Sequence, residues 1–285
     1  MHLHYLILAH TNLSQLDRLV KTLADDRTHL FIHIDKKISW SELSKFDFYH
    51  NKRVELVKER FSIRWGGYNM VRATLTLMKT AVLKAQKGYF ILISGQDYPL
   101  KSNQFIYDYL RQRQGAEYMT HWSIPYENWS SGGLSRIRYS WFIDQIGFTA
   151  SKLLYYFQKC CKIKRTYLPA QLPYGGSQWW CLTHDCVNYI LAFVDHHPAF
   201  RRFYEHTLIA DEMFFQTIVL NSPFRDSVVN NNLRYIKFDG LNTHPNVLDR
   251  KDLPGLLASD KLWARKFDEN HDIEVMNNLE QQLKG

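Results

Sequence analysis

Leu3 to Ala9 is a short, unbroken apolar run that stops at His10-Thr11-Asn12, and it predicts a buried first strand. Leu13, Leu16, Leu19, Val20 and Leu23 then recur at helical spacing. Leu30-Phe31-Ile32-His33-Ile34 predicts a second strand that closes on Asp35-Lys36-Lys37, and Val54 to Val57 a weaker third. Val71, Leu75, Met78, Val82 and Ala85 form a helical stripe, so residues from about Gly67 to Gln86 are expected to form a long amphipathic helix. Tyr89 to Ile93 predicts the next strand, which ends at Ser94-Gly95-Gln96-Asp97-Tyr98-Pro99-Leu100. Alternation of this kind predicts an α/β protein with a mostly parallel sheet covered by helices. In open sheets of that class the ligand sits beyond the carboxyl ends of the strands. The residues expected there are His10, Asp35, Lys37 and Asp97.

The pattern breaks from Thr120 to Tyr174, a stretch rich in Trp, Tyr, Arg and Lys. It reads as an insert lining an acceptor groove. Its basic, aromatic part from Lys152 to Arg165 suits contact with an anionic membrane, or else a basic surface helix with a packed aromatic face. Gly175-Gly176-Ser177-Gln178-Trp179-Trp180-Cys181-Leu182-Thr183 reads as a glycine hinge running into an aromatic strand. A helix follows with Val187, Ile190, Leu191 and Val194 inward, then a second around Phe200 to His206. A third is expected to open on Asp211-Glu212, since carboxylates in a first turn are favoured by the helix dipole. Leu233 to Ile236 predicts a strand, and Ser259 a cap for a short helix delivering Arg265 and Lys266. Ile273, Met276, Leu279 and Leu283 predict a closing helix. With no repeat or linker, a single domain is expected over 1–285, with a nucleotide-binding half (1–119), the insert (120–174) and a catalytic, diphosphate-binding half (175–285).

Composition narrows the chemistry. The 285 residues are 45% hydrophobic, enough for a full core, and 15% aromatic, a bias useful for stacking on sugar rings. A net charge of +8 favours an anionic partner such as a nucleotide, a phosphorylated glycan or a membrane surface. No nucleic-acid-binding signature is present, so nucleic acid is not an expected partner. Cys160, Cys161, Cys181 and Cys186 have no zinc spacing and are expected to be reduced thiols. Without a signal-like start or a membrane-length apolar run, the expected location is cytoplasmic, possible contact with the inner face of the membrane included. There is neither a glycine-rich phosphate loop nor an Asp-x-Asp pair to hold a divalent metal. No metal ligands or cofactor are therefore expected, and the charge of a leaving diphosphate falls to Arg and Lys. The carboxylates at Asp211-Glu212, the cations in Ala264-Arg265-Lys266-Phe267-Asp268 and the α/β half together suggest group transfer from a nucleotide-activated donor.

His10, Ile34-Asp35-Lys36-Lys37, Trp65-Gly66-Gly67, Ser94 to Leu100, Gly176 to Trp180, Asp211 to Phe215 and Ala264 to Asp268 occur in this order. In that series the chain resembles the core-2/I-branching glycosyltransferase family, which includes β-1,6-N-acetylglucosaminyltransferases and peptide O-xylosyltransferases. The resemblance implies a GT-A-type, Rossmann-like fold and inverting, metal-independent transfer from a UDP-sugar. Carried over by position, it makes Glu212 the general base. It puts Arg234, Arg265 and Lys266 at the diphosphate, and His10, Asp35, Trp65, Asp97 and Ser177 at the donor. Gln178, Trp179 and Asp211 fall toward the acceptor. N-acetylglucosamine leads as donor sugar, ahead of xylose, glucose and galactose. A bacterial glycan or lipid-linked glycan is the expected acceptor, in surface polysaccharide or lipopolysaccharide synthesis. The chain departs from the mammalian branching enzymes in lacking a membrane anchor and a disulfide-rich lumenal domain. Gln178 stands where the xylosyltransferases carry an acidic residue, and the 120–174 insert matches nothing in the family. The rival readings are a metal-dependent transferase and a non-catalytic carbohydrate-binding protein on the same fold.

Overall fold

A computed structural model of the chain describes residues 1–84, 87–167, 170–239 and 244–284. In chain order the elements are β1 (His2–Ala9), α1 (Leu13–Leu23), β2 (Thr28–Ile34), α2 (Trp40–Leu43), α3 (Asp47–His50), β3 (Val54–Leu56), α4 (Asn69–Lys84), β4 (Gly88–Ser94), β5 (Asp97–Pro99), α5 (Asn103–Gln112) and β6 (Glu117–Ser123). They continue with α6 (Leu134–Arg138), α7 (Ile143–Cys160), β7 (Tyr174–Thr183), α8 (His184–His196), α9 (Pro198–Tyr204), α10 (Phe214–Leu220), β8 (Val228–Val229), β9 (Arg234–Ile236), α11 (Leu253–Ala258), β10 (Trp263–Arg265) and α12 (Ile273–Lys284).

Among the described residues the main sheet has the order β3-β2-β1-β4-β7-β6-β8, and β5-β10-β9 form a small second sheet. β3, β2, β1 and β4 are parallel, β7 is antiparallel to both β4 and β6, and β8 is parallel to β6. All strands of the main sheet but β7 thus run in one direction, and the expected mostly parallel α/β architecture is present. β1 is central and covered on both faces. Tyr5 and Ile7 pack with α1, α5 and α12, whereas Leu6 and Leu8 pack with α4 and α8 to α10. Burial on both sides is why this strand reads as an unbroken apolar run. α1 buries Leu13, Leu16, Leu19, Val20 and Leu23 as its spacing predicts. α4 buries Val71, Leu75 and Met78; Ala85 and Gln86, at its expected end, lie outside the described residues.

Local pattern misled in four places. β6 runs on through Ser123, so the insert expected from Thr120 begins inside the sheet, where His121 and Trp122 pair with Gly176 and Gly175. The two glycines are strand residues and not a hinge: a Cβ on Gly176 would lie 1.9 Å from the Thr120 carbonyl oxygen, so glycine is what lets β6 and β7 close. Asp211 and Glu212 do not open α10. They sit in a separate 3-10 turn, Ala210–Glu212, and Met213 (φ −135°, ψ −34°) breaks the chain before α10 begins. A tertiary contact sets this turn, because left-handed Ile209 donates its amide to the Gly66 carbonyl at 2.9 Å. Finally, Ser259 ends α11 and caps no following helix; Arg265 arrives on strand β10, whose Trp263 and Ala264 are buried between β5 and β9. In α12, Val275, Met276 and Leu279 fill the core while Ile273 faces solvent.

Candidate active site

Because β7 opposes β4, with Tyr89 against Thr183 and Ile91 against Cys181, its amino end reaches the carboxyl edge of the parallel strands. Three parts of the chain meet there on Ser177. Its hydroxyl accepts from Asn232 Nδ2 at 3.0 Å, and its carbonyl accepts from Gln216 Nε2 on α10 at 2.6 Å. Asn232 in turn receives the amide of Arg234 at the start of β9. Ser177 thus joins β7 to α10 and, through Asn232, to the start of β9 at Arg234.

The carboxylate pair lies just before α10. Glu212 Oε2 accepts from Arg136 Nη1 at 2.7 Å, and the Arg136 guanidinium lies 3.5 Å over the Trp129 ring. Trp129 meets Trp122 edge-on, and Trp122 stacks on Tyr126 at 4.4 Å. A half-buried aromatic group from the insert therefore leads to Glu212, whose side chain remains about one third exposed. Its neighbour differs. Asp211 is buried, and that burial, with the adjacent Glu212 charge second, pushes its carboxyl up to about 7 against the pull of its own backbone amide and Arg136.

The cations divide by environment. Arg265 Nη1 lies 3.1 Å from Asp97 Oδ1, and its guanidinium covers the Trp179 ring at 4.0 Å. Burial pushes Asp97 up and Arg265 down, each partly offset by the other's charge. Arg234 donates to the carbonyls of Leu92 and Asn232 and lies over the Trp263 ring. Both terminal nitrogens of its guanidinium are thus engaged by backbone carbonyls, while its Nε has no hydrogen-bond partner among the described residues. Trp179 is likewise covered on one face, by the Arg265 guanidinium. Lys266, half-buried next to Arg265, has no hydrogen bond or ion pair for its ammonium among the described residues. His10 is held below its ordinary pKa, first by desolvation and then by Lys37, Arg265 and Lys266 against the opposing charge of Asp35. These groups therefore share one electrostatic neighbourhood. Asp35 is buried and staples its own loop, accepting the amides of Lys37 and Ile63. Trp65 is exposed and meets Phe148 and His244 edge-on.

Buried polar atoms without a hydrogen-bond partner mark the cleft. Among them are both carboxylate oxygens of Asp97, Gln178 Nε2, Gln216 Oε1, Arg234 Nε, and Nε and Nη1 of Arg265. The Asp97–Arg265 contact is thus an ion pair by distance with no aligned hydrogen bond. Folded proteins satisfy nearly all such atoms, so a concentration of them at one strand edge marks a place built for a polar ligand.

Sequence reasoning missed four residues that organise this region. Arg136 stood only as one cation of the insert. Gln15 and Gln216 are polar residues on otherwise apolar helical faces, a signal that could have drawn attention to both. Asn232 carries no signal in its neighbours.

A mostly parallel sheet flanked by helices, with carboxylates, cations and unpaired polar groups past its strand ends, defines an α/β protein of the class whose ligands sit beyond the carboxyl ends of the strands. The chain belongs to the Core-2/I-branching enzyme family, whose model matches residues 3–254. It is similar to xylosyltransferase 2 of Rattus norvegicus, 27% identical over 99% of this chain and 33% of the relative. It is also similar to a xylosyltransferase of Ciona intestinalis, 25% identical over 99% of this chain and 34% of the relative. The chain spans about a third of the length of the curated relatives it matches. Among solved structures, the apo form of mouse xyloside xylosyltransferase 1 aligns with 77% of this chain and 82% of its own, at 11% identity and a TM-score of 0.34.

Proposed function

We propose that this chain is an inverting glycosyltransferase that moves a sugar from a UDP-sugar to a hydroxyl of a glycan acceptor, without a metal ion, with Glu212 as general base. The observation that carries the reading is the Glu212–Arg136–Trp129 assembly: a partly exposed carboxylate is oriented by a cation at the end of an aromatic surface. Inversion requires in-line attack opposite the leaving diphosphate. The incoming hydroxyl would lose its proton to Glu212 as it bonds to the anomeric carbon, while the bond to the diphosphate oxygen breaks. General-base help of this kind contributes roughly 10²–10⁴ in rate. Lys266 would balance the charge gathering on the departing UDP, with Arg265 behind it. Because the similar proteins are named xylosyltransferases, UDP-xylose joins UDP-N-acetylglucosamine, the donor favoured from the sequence, as the first donors to try. A bacterial surface polysaccharide or lipopolysaccharide remains the acceptor class we propose.

The test follows UDP release from a panel of UDP-sugars, with EDTA and with added Mn²⁺, for the wild type and Glu212→Gln. Release from one donor should survive EDTA and fall by roughly 10²-fold or more in the variant, while UDP binding persists. Release that requires Mn²⁺ would overturn the metal-free mechanism, and an active Glu212→Gln would remove Glu212 from its role.

A further inference from the structure

The helix α7 is built inside out. Ile143 at its start is buried, but beyond the break at Gly147 (φ 83°) the buried positions are the polar Ser151 and Gln158. Ser151 Oγ accepts the amide of Phe142, and Gln158 both accepts the Ser140 amide and donates to the Ser140 carbonyl, each at 2.9 Å. These side chains satisfy the extended segment that precedes the helix, so they cannot turn outward. The opposite face carries Leu153, Tyr156, Phe157 and Cys160, at helical spacing and exposed; Leu153 is 67% and Phe157 58% accessible. Tyr155 and Phe148 pack flat on Trp141, at 4.9 and 6.5 Å, off this outward stripe. The reading of this stretch as a basic helix with a packed aromatic face therefore fails on the outward side.

Charge says what covers this face. From Lys152 to Arg165 the chain has five cations and no carboxylate. Arg165 is turned inward onto the carbonyls of Tyr139, Phe203 and His206. Lys152, Lys159, Lys162 and Lys164 are exposed and form no ion pair among the described residues. An apolar stripe bordered by unpaired lysines is complementary to an anionic bilayer, into whose headgroup region the stripe can sink while the lysines stay at phosphate level. No helix among the described residues is long and apolar enough to cross a membrane, so this contact would lie in the plane of the surface.

We propose that the outward face of α7 docks this protein on an anionic phospholipid surface. The proposal stands apart from the sugar-transfer reading, because it rests on none of the cleft residues. The test is sedimentation with vesicles of phosphatidylcholine alone and of phosphatidylcholine mixed with phosphatidylglycerol. Binding is expected to the anionic vesicles, weakening with salt. It should fall at least about 10-fold in Leu153→Asp/Phe157→Asp and in a variant with Lys152, Lys159, Lys162 and Lys164 all changed to Gln, as each cation near such a surface contributes about a factor of five. Circular dichroism checks that both remain folded. Equal binding to both vesicle types, or binding untouched by both variants, would overturn the proposal. So would a dimer by light scattering that Leu153→Asp/Phe157→Asp dissolves, since the face would then belong to a second copy.

Discussion

Asp211 and Glu212 are adjacent in the chain and opposite in environment. Glu212 faces a guanidinium and solvent, while Asp211 is enclosed, and its carboxyl rises to about 7. An unfolded carboxyl titrates near about 4. Between those values the unfolded chain has released a proton that the folded chain keeps, so stability is full below about pH 4 and falls as pH rises toward 7. Asp211→Asn cannot ionise. It should melt at a higher temperature than wild type at pH 8 and show no such advantage at pH 4, which calorimetry across that range would check. Parallel pH profiles for the two proteins would mean that Asp211 is an ordinary carboxylate. Lys266 carries the second residue-scale prediction. Its ammonium has no partner within the described residues, so Lys266→Ala should leave the fold intact. Calorimetric titration should show UDP binding weakened roughly 10- to 100-fold, with uridine binding little changed. Equal loss for both ligands would make the lysine structural.

At the scale of elements, the site depends on how closely β6 approaches β7. That pairing carries the insert's aromatic residues against the strand that presents Ser177 and Gln178. Gly176→Ala would force a Cβ to within 1.9 Å of the Thr120 carbonyl, a backbone atom that cannot rotate away. The expected cost is about 1–3 kcal/mol or more, read as a lowered denaturation midpoint, together with reduced turnover as the strands part. Gly115→Ala serves as the control. Nothing lies within 4 Å of its new Cβ, so it tests a glycine-to-alanine change without a clash, carrying only the backbone strain of its own positive φ (96°), which Gly176 lacks. The same pairing explains why the start of the insert was misjudged. Thr120 to Ser123 lacks a clean alternation because β6 shifts register between Met119 and His121, and a bulge of that kind erases the period-two signal.

For the whole molecule, the C-terminal segment must be held against the main sheet if β10 and Lys266 are to stay in the cleft. Gln15, fully buried on α1, holds it there. Its Nε2 donates to the carbonyls of Gly95 and Phe267, each at 3.1 Å, and its Oε1 accepts the Glu269 amide at 2.9 Å. Asn12 adds a bond to Asp268 at 2.7 Å. Gln15→Leu keeps much of the volume and strands these backbone groups, at about 1–3 kcal/mol for each one left unsatisfied. Urea denaturation should show that loss, and UDP affinity should fall with it. A destabilised variant with unchanged UDP affinity would show that Lys266 is positioned without this clasp.

What the sequence determined by itself follows from interactions that are local or repeated. The central strands were legible because burial on both faces leaves unbroken apolar runs, and the amphipathic α1 and α4 because one-sided burial imposes a period of 3.6 on neighbouring residues. Family membership was legible because short motifs stand in one order along the chain. Tertiary structure decided the rest. Glu212 and Arg136 are 76 residues apart, and Gln15 and Phe267 are 252 apart; no window of sequence contains either pair. Arg234 and Lys266 look alike as letters, yet one donates to two backbone carbonyls and the ammonium of the other has no partner among the described residues. That difference is one of solvation and of partners, which exist only once distant segments have packed.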